Sequence, residues 1–451
     1  MSRNSLLKYY IALCLALGLS AICPAIDRQS NADYRARRVE FAQKMFGGVA
    51  ILFAGIEAEG PNAVYGFRQD NDFYYLSGWA EPGAALVVVS EVKAKENVPG
   101  RQYSEILFLP VHNKGQEKWT GPKLGADNPQ APAITGFDHV DNLDHMPAEL
   151  ARILGQGPAS IYVDLSPEAA ATQSTSAMEW LRRTNTLPLR TSTQDVKPIF
   201  AQLRVSKDQG EIDRMRHATD ASIAAHMAAL QMLKPGLSEH DIDARMQYEF
   251  MKHGCERPAY APIVGAGANS TVLHYSADDA PIQAGDVVVM DVAGEYAMYA
   301  SDITRTAPAA GKFTDRQREI YNIVLGAQQA AISAFKQGKT KLSGRGSDSL
   351  FQVAYDYINS HGKDLHGQPL GQYFIHGLGH YVGLEVHDVG DIMAPLVDNA
   401  DFIGGRYRPS GTGQTNFGRI VEPSHVQQAL AGAEALLKRT AKSLLDPAAK
   451  F

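Results

Sequence analysis

Two aspartates and a cluster of histidines carry the strongest chemical signal in this 451-residue chain. Side chains alternate along an extended segment, so in "DVVVMDVAGEYAMYASDITRT" Val287, Val289 and Asp291 fall on one face of a strand. A carboxylate on an apolar face is costly unless its charge is compensated. Gly294 to Tyr299 can turn the chain, which returns Asp302 on the neighbouring strand close to Asp291. Two carboxylates converging inside a sheet either share a proton or bind cations. A hydrogen-bonded core Asp291 beside a turn-side Asp302 is the alternative that the spacing leaves open.

The second cluster is "FIHGLGHYVGLEVHDVG", which sets His376, His380 and His387 among four glycines. Gly377 and Gly379 argue against a helix, so His376 and His380 are expected on one face of an extended segment. A single histidine there would read as a packed or hydrogen-bonded residue. Three of them, with glycines that allow close backbone approach, favour a site. His274, in "STVLHYSADD", stands just before the strand that bears Asp291 and is a fourth candidate.

The elements that must position these residues fall into two units. Residues 30–195 read as an α/β unit, with apolar runs "GGVAILFAG", "GAALVVVS", "SEILFLPV" and "ASIYVDLS" as strands. "FRQDNDFYYLSGWAEPG" reads as a structured loop rather than a helix, and the segment around Trp119 as a surface loop. "TLPLRTSTQDVKPIFAQLRVS", with two prolines and several turn formers, reads as the connection between units. A helix is expected from about Lys207 with Ser206 as its N-cap, carrying Ile212, Met215, Thr219, Ile223, Met227 and Leu230 at helical spacing. Ser238 with Asp241 and Thr314 with Gln317 are capping boxes that open two more helices. Between those helices "APIVGAG", "DVVVMDVAGEY" and "ASDITRTA" read as strands.

Bulk properties narrow the function. The chain is 45% hydrophobic and 20% charged, a globular composition, and its length suggests two domains. A net charge of -6 provides no basic field for nucleic acid. Arg3 and Lys8 ahead of an apolar run from Tyr9 to Cys23 describe a signal peptide over residues 1–25, which implies export to the periplasm or beyond without a stable membrane anchor. Of the three cysteines only Cys255 would remain after cleavage, so no internal disulfide is expected.

"MDVAGEYAMYASDITRT" followed by "IHGLGHYVGLEVHD" resembles the pita-bread metallopeptidases, the family of aminopeptidase P, prolidase and methionine aminopeptidase. The resemblance covers about residues 206–396, and "FRQDNDFYYLSGWAEPGAALVVV" resembles the N-terminal domain of aminopeptidase P. It implies a creatinase-like α/β domain over 30–195, then a pita-bread catalytic domain over 206–425 with an atypical C-terminal end. Asp291 would be a bidentate metal ligand, Asp302 a bridging ligand and His380 the imidazole ligand. His274 and His387 would act on substrate and transition state, and His376 would line the same pocket. Two divalent ions are implied, Mn²⁺ first and Zn²⁺ or Co²⁺ as alternatives. The implied reaction releases the N-terminal residue of Xaa-Pro peptides by a metal-activated hydroxide. Proline-containing peptides are then the partners, and the family also forms homodimers and homotetramers.

The chain departs from the family after Leu396. The family completes its site with two glutamates, in motifs like "TIEPGIY" and "GIRIED", and neither motif is clearly present. Glu422, in "GRIVEPS", could stand in for one; Glu434 sits in a helix-like Ala/Leu-rich segment, and Glu385 is too near His380. An active but unusual site, a one-metal or metal-free relic that binds peptides, and an altered 3′ region all remain open. A prolidase and a creatinase-like hydrolase are the remaining alternatives.

Overall fold

The computed structural model describes residues 27–57, 65–94, 100–115, 117–157, 159–165, 180–181, 192–336 and 338–393. The expected signal peptide, Glu422 and Glu434 lie outside the described residues.

The first unit is a six-stranded mixed sheet among the described residues, in the order β4-β3-β2-β1-β5-β6. β1 (Val49–Phe53), β2 (Ala85–Val89) and β3 (Ser104–Leu109) are the expected apolar runs and pair antiparallel. Covered on both faces, they need no polar alternation. β4 (His139–Asn142), β5 (Ile161–Val163) and β6 (Thr193–Asp195) join parallel to their neighbours. β4 and β6 are polar edge strands, so hydrophobic patterning does not reveal them. Helix α1 (Asn31–Lys44) opens with a Ser30/Asp33 capping box and buries Arg38, whose Nε and Nη2 bind the Glu105 carboxylate at 2.7 and 2.9 Å.

Two sequence expectations fail here. Residues Asn71–Ser77 form helix α2 rather than a loop. Asp70 caps it by accepting from the Phe73 N–H at 2.8 Å, and Gly78 ends it at φ +60. Burial of nearly every side chain hides the amphipathic pattern that would announce a helix. The connection between units is also more than a linker. After helix α3 (Met146–Leu154), it contributes β6 and a buried helix α4 (Lys197–Arg204), whose Ile199, Phe200 and Leu203 pack into the core. Trp119 sits on a single helical turn at the surface, 90% exposed.

The second unit begins with α5 (Gln209–Met232), capped by Asp208 with Glu211 rather than by Ser206. Its buried face is Ala218, Ala221, Ser222, Ala225, His226 and Ala229, while Ile223, Met227 and Leu230 are exposed. Of the apolar series in the sequence, only Met215 is buried. The reason is close approach: α5 lies against the strands that follow, and small side chains let the backbones come together. The Ser238/Asp241 box opens α6 (Glu239–Lys252) and the Thr314/Gln317 box opens α7 (Asp315–Ala334), as the sequence indicates. Helix α8 (Leu350–His361) packs along α7.

Between α6 and α7 the described strands form two three-stranded sheets. β9 (Val287–Asp291) is the centre of one, flanked antiparallel by β8 (Ile263–Ala266) and β12 (Thr304–Pro308). β10 (Gly294–Tyr296) and β11 (Tyr299–Ala300) form a hairpin, and β7 (Arg257–Pro258) pairs with β10. The hairpin turn places Ala297 and Met298 at φ 51 and 74. This is the pair of left-handed residues of a type I′ turn, without the glycine that usually supplies them. The Glu256 carboxylate accepts from the Ala297 N–H at 2.9 Å and holds that turn. Tyr299, Ala300, Val382 and Leu384 join one hydrophobic cluster with Phe41, Phe200 and Leu203, so the two units share a core.

Candidate metal centre and its cavity

Asp291 ends the central strand, opposite Ile263 on one side and Thr304 on the other. The β10–β11 hairpin then carries the chain out and back, and Asp302 arrives two residues before β12. Both aspartates are buried. The Tyr260 hydroxyl lies 2.7 Å from Asp291 Oδ1 and 3.2 Å from Asp302 Oδ1, so one phenol proton bridges the two carboxylates. His380 Nε2 is 3.0 Å from Asp302 Oδ2. Its other ring nitrogen, Nδ1, is 3.0 Å from the Tyr381 carbonyl, which fixes Nδ1 as the donor and aims Nε2 at the carboxylates. Burial works against a charge on His380, yet the hydrogen bond and attraction of Asp302 raise its pKa above the ordinary histidine value.

A second clamp lies beneath the aspartates. His226 Nε2 is 3.0 Å from both the Val292 and the Ile303 carbonyls, the residues that directly follow Asp291 and Asp302. Only an N–H at Nε2 serves both, so Nε2 carries a proton. Burial, followed by the nearby Arg305, depresses its pKa to about 4. The strand pair is therefore stapled at the point where it must diverge to present two carboxylates.

The cavity above measures about 590 Å³. Asp291, Asp302, Tyr260, His274 and His387 line it, together with Arg68 and Asn71 from the first unit. His387 stacks edge-on against His380 with ring centres 4.3 Å apart. His274 rides on an irregular loop before β9. Fully buried Glu239 anchors that loop, accepting from the Ala266 and Ala280 N–H groups at 2.7 and 2.9 Å and from the Tyr275 hydroxyl at 2.8 Å. Arg68 Nε donates to Glu295 at 2.7 Å, and its Nη2 donates to the Leu384 carbonyl at 2.7 Å. The first unit thereby reaches the histidine segment.

His376, expected in the same pocket, is not among the residues that wall this cavity. The segment is irregular rather than extended. Phe374 and Leu378 turn into the core under α7 and α8, and His376 is half-buried with Nδ1 2.9 Å from the Gly377 carbonyl. Tyr260, Arg68, Glu295 and His226 are features of the site that motif reading misses. Each acts through partners more than thirty positions away, and only the proline and aromatic residues of "RPAYAP" hinted at a shaped segment before β8.

Asp291, Asp302 and His380 are a donor set that suits a hard or borderline divalent ion. The fit is partial: among the described residues no group of three or more His, Cys, Asp or Glu is arranged to hold a metal ion as it stands. His380 and Asp302 instead meet directly. Any further carboxylate from Glu422 lies outside the described residues.

A buried carboxylate pair at a strand divergence, with an oriented imidazole and a histidine-walled cavity, is the architecture of a metallohydrolase. Comparison with known proteins makes the class specific. Residues 213–426 match metallopeptidase family M24, and residues 34–162 match the aminopeptidase P N-terminal domain. The match runs past Leu396, beyond the 206–396 stretch whose motifs resemble the family. The chain is 32% identical to Xaa-Pro aminopeptidase of Haemophilus influenzae, over 79% of this chain and 80% of that protein. It is 31% identical to Xaa-Pro aminopeptidase of Escherichia coli, over 80% and 82%. Among solved structures, proline aminopeptidase P II from Yersinia pestis superposes with a TM-score of 0.69 at 27% identity, over 90% of this chain and all of that one. The zinc-substituted Escherichia coli aminopeptidase P with product gives 0.70 at 26%, over 90% and 99%. The chain belongs to metallopeptidase family M24, with the N-terminal domain and pita-bread fold of aminopeptidase P.

Proposed function

We propose that this protein is a metal-dependent exopeptidase that removes the N-terminal residue from Xaa-Pro peptides. The observation that carries the reading is the meeting of Asp291, Asp302 and His380 at the edge of a cavity walled by His274 and His387. Asp291, Asp302 and His380 would hold divalent metal, with Mn²⁺ favoured by the oxygen-rich donor set; when bound it would activate water and polarise the scissile carbonyl. Tyr260 orients both carboxylates by sharing its proton between them. His274 and His387 stand at the cavity wall, where an imidazole can donate to the developing oxyanion or deliver a proton to the departing proline nitrogen. That nitrogen bears no hydrogen in the peptide, so it must gain a proton to leave. Arg68 and Asn71 of the first unit also line the cavity, where they can contact the bound peptide. The Arg/Lys-headed apolar run at the start of the sequence supports export as part of the same reading.

The test is an assay for release of the N-terminal residue from a short Xaa-Pro-Yaa peptide by the purified, folded protein, with and without added Mn²⁺. Release that depends on the metal and is lost in Asp291→Ala supports the reading. No release under either condition, from protein that binds the peptide, supports a catalytically silent member instead.

A further inference from the structure

We propose that Arg204, bridging Asp72 of the first unit to Asp388 beside His387, is a positioning residue through which the N-terminal unit sets the geometry of the histidine loop. Arg204 ends α4 and is almost fully buried, with side-chain exposure of 3%. Its two Nη atoms take carboxylates from different units. Nη1 binds Asp72 Oδ1 on α2 at 2.5 Å, and Nη2 binds Asp388 Oδ1 at 2.5 Å. Nη2 also lies 3.2 Å from Glu385 Oε1, a carboxylate that accepts from Asn71 Nδ2 at 2.8 Å. Lys207, 2% exposed, binds the second Asp388 oxygen at 2.7 Å. Lys197 completes the far end on Asp72 Oδ2 at 2.9 Å.

The loop from His380 to Asp388 is otherwise held by burial of Tyr381, Val382 and Leu384, by the Ala300 N–H donating to the Gly383 carbonyl at 2.8 Å, and by Arg68 on the Leu384 carbonyl. It contains no strand or helix, and its ends meet in a single backbone bridge, the Asp388 N–H donating to the Tyr381 carbonyl at 2.9 Å. Gly383 in its middle fits only because it lacks a side chain: a Cβ there would stand 2.1 Å from Asp388 Oδ2 and 2.9 Å from Lys207 Cε. The buried ions are therefore the floor on which the loop rests, and His380 and His387 project from its two ends. A guanidinium can grip two carboxylates from one planar fork, and an ammonium cannot. Backbone hydrogen bonds fix the first half of this loop at Tyr381 and Gly383, and the fork on Asp388 sets the end that carries His387.

This inference concerns how the proposed site is held and rests on that reading for its kinetic arm, but one arm is independent of activity. The variant is Arg204→Lys, which keeps the charge and loses the bridge. Amide hydrogen exchange of the full-length protein should speed up about tenfold across 381–388 while Val287–Asp291 and α5 stay unchanged. With an Xaa-Pro peptide, kcat should fall roughly 100-fold, the cost of an ångström-scale misplacement of a reacting group, and KM should move less than about threefold. If Arg204→Lys fails to fold, Asp72→Asn retains an acceptor for Arg204 and should speed loop exchange by about threefold with a smaller fall in kcat. Unchanged loop exchange in a folded variant overturns the proposal, as does exchange that rises evenly across the whole second unit. A protein without peptidase activity still answers by exchange, so failure of the functional reading and failure of this one are separable.

Discussion

The two halves of the candidate site are built by opposite means. Asp291 ends a β-ladder and Asp302 stands two residues before its partner strand: five register pairs join β9 to β12, and four join β9 to β8. The backbone itself decides where those carboxylates go, and His226 pins only the residues just outside the ladder, Val292 after β9 and Ile303 before β12. His380 and His387 sit on a loop without strand or helix, tied to Ala300 by one main-chain bond, packed through Val382 and Leu384, and resting at its Asp388 end on Arg204 and Lys207. Ladder geometry survives most side-chain changes, because each rung belongs to the main chain. Ion-floor geometry depends on a few side chains and on a glycine that must stay small. The carboxylate half should therefore tolerate substitutions around it, and the histidine half should not.

The sharpest challenge to this contrast is Gly383→Ala. The added methyl would collide with Asp388 Oδ2, an atom fixed by Lys207, so the loop must shift or the ion cluster must open. The expected cost is about 3 kcal/mol, at the upper end for overpacking, read as a fall in the urea midpoint without a change in slope. An unchanged midpoint would mean that the loop is free to move and that the ions are not its floor.

On the ladder side the matching experiment is His226→Gln. A glutamine amide can donate to one of the two carbonyls, and losing the other hydrogen bond should cost about 1–2 kcal/mol at pH 7. The pH dependence is more diagnostic. His226 titrates near its ordinary value when unfolded and at about 4 when folded, so the unfolded state takes up the proton first. Its contribution is complete above about pH 6.5 and is lost as pH falls towards 4, by about 3 kcal/mol in all. Denaturation midpoints of the unmutated protein should drop over that window, and His226→Gln should flatten the drop. An equally steep curve in the variant would assign the acid loss to other groups.

The smallest effect is expected at Met227, exposed on the outer face of α5. Met227→Gln should change stability by no more than about 0.5 kcal/mol in the same urea titration. A larger loss would show that this apolar stripe is covered in solution.

The same contrast explains what the sequence could reveal. Asp291 was legible because strand alternation is local, and Asp302 because a turn between Gly294 and Tyr299 must bring the chain back. The Ser238/Asp241 and Thr314/Gln317 boxes were legible because a cap and its partner are three residues apart. The α5 face was not, since alanine marks close packing but has little hydrophobic signal, while Ile223 and Met227 carry that signal on the solvent side. Helix α2 was hidden by burial on all sides. Tyr260, His226 and Arg204 were invisible because their partners lie 31, 66 and 184 residues away, and no local pattern encodes such pairs.

The central claim is that Asp291, Asp302 and His380 form the core of a divalent metal site, and calorimetric titration of the full-length protein with Mn²⁺ tests it most directly. The account predicts saturable Mn²⁺ uptake that Asp291→Ala abolishes in protein that remains folded. No uptake by the unmutated chain, or uptake that survives Asp291→Ala unchanged, would contradict it.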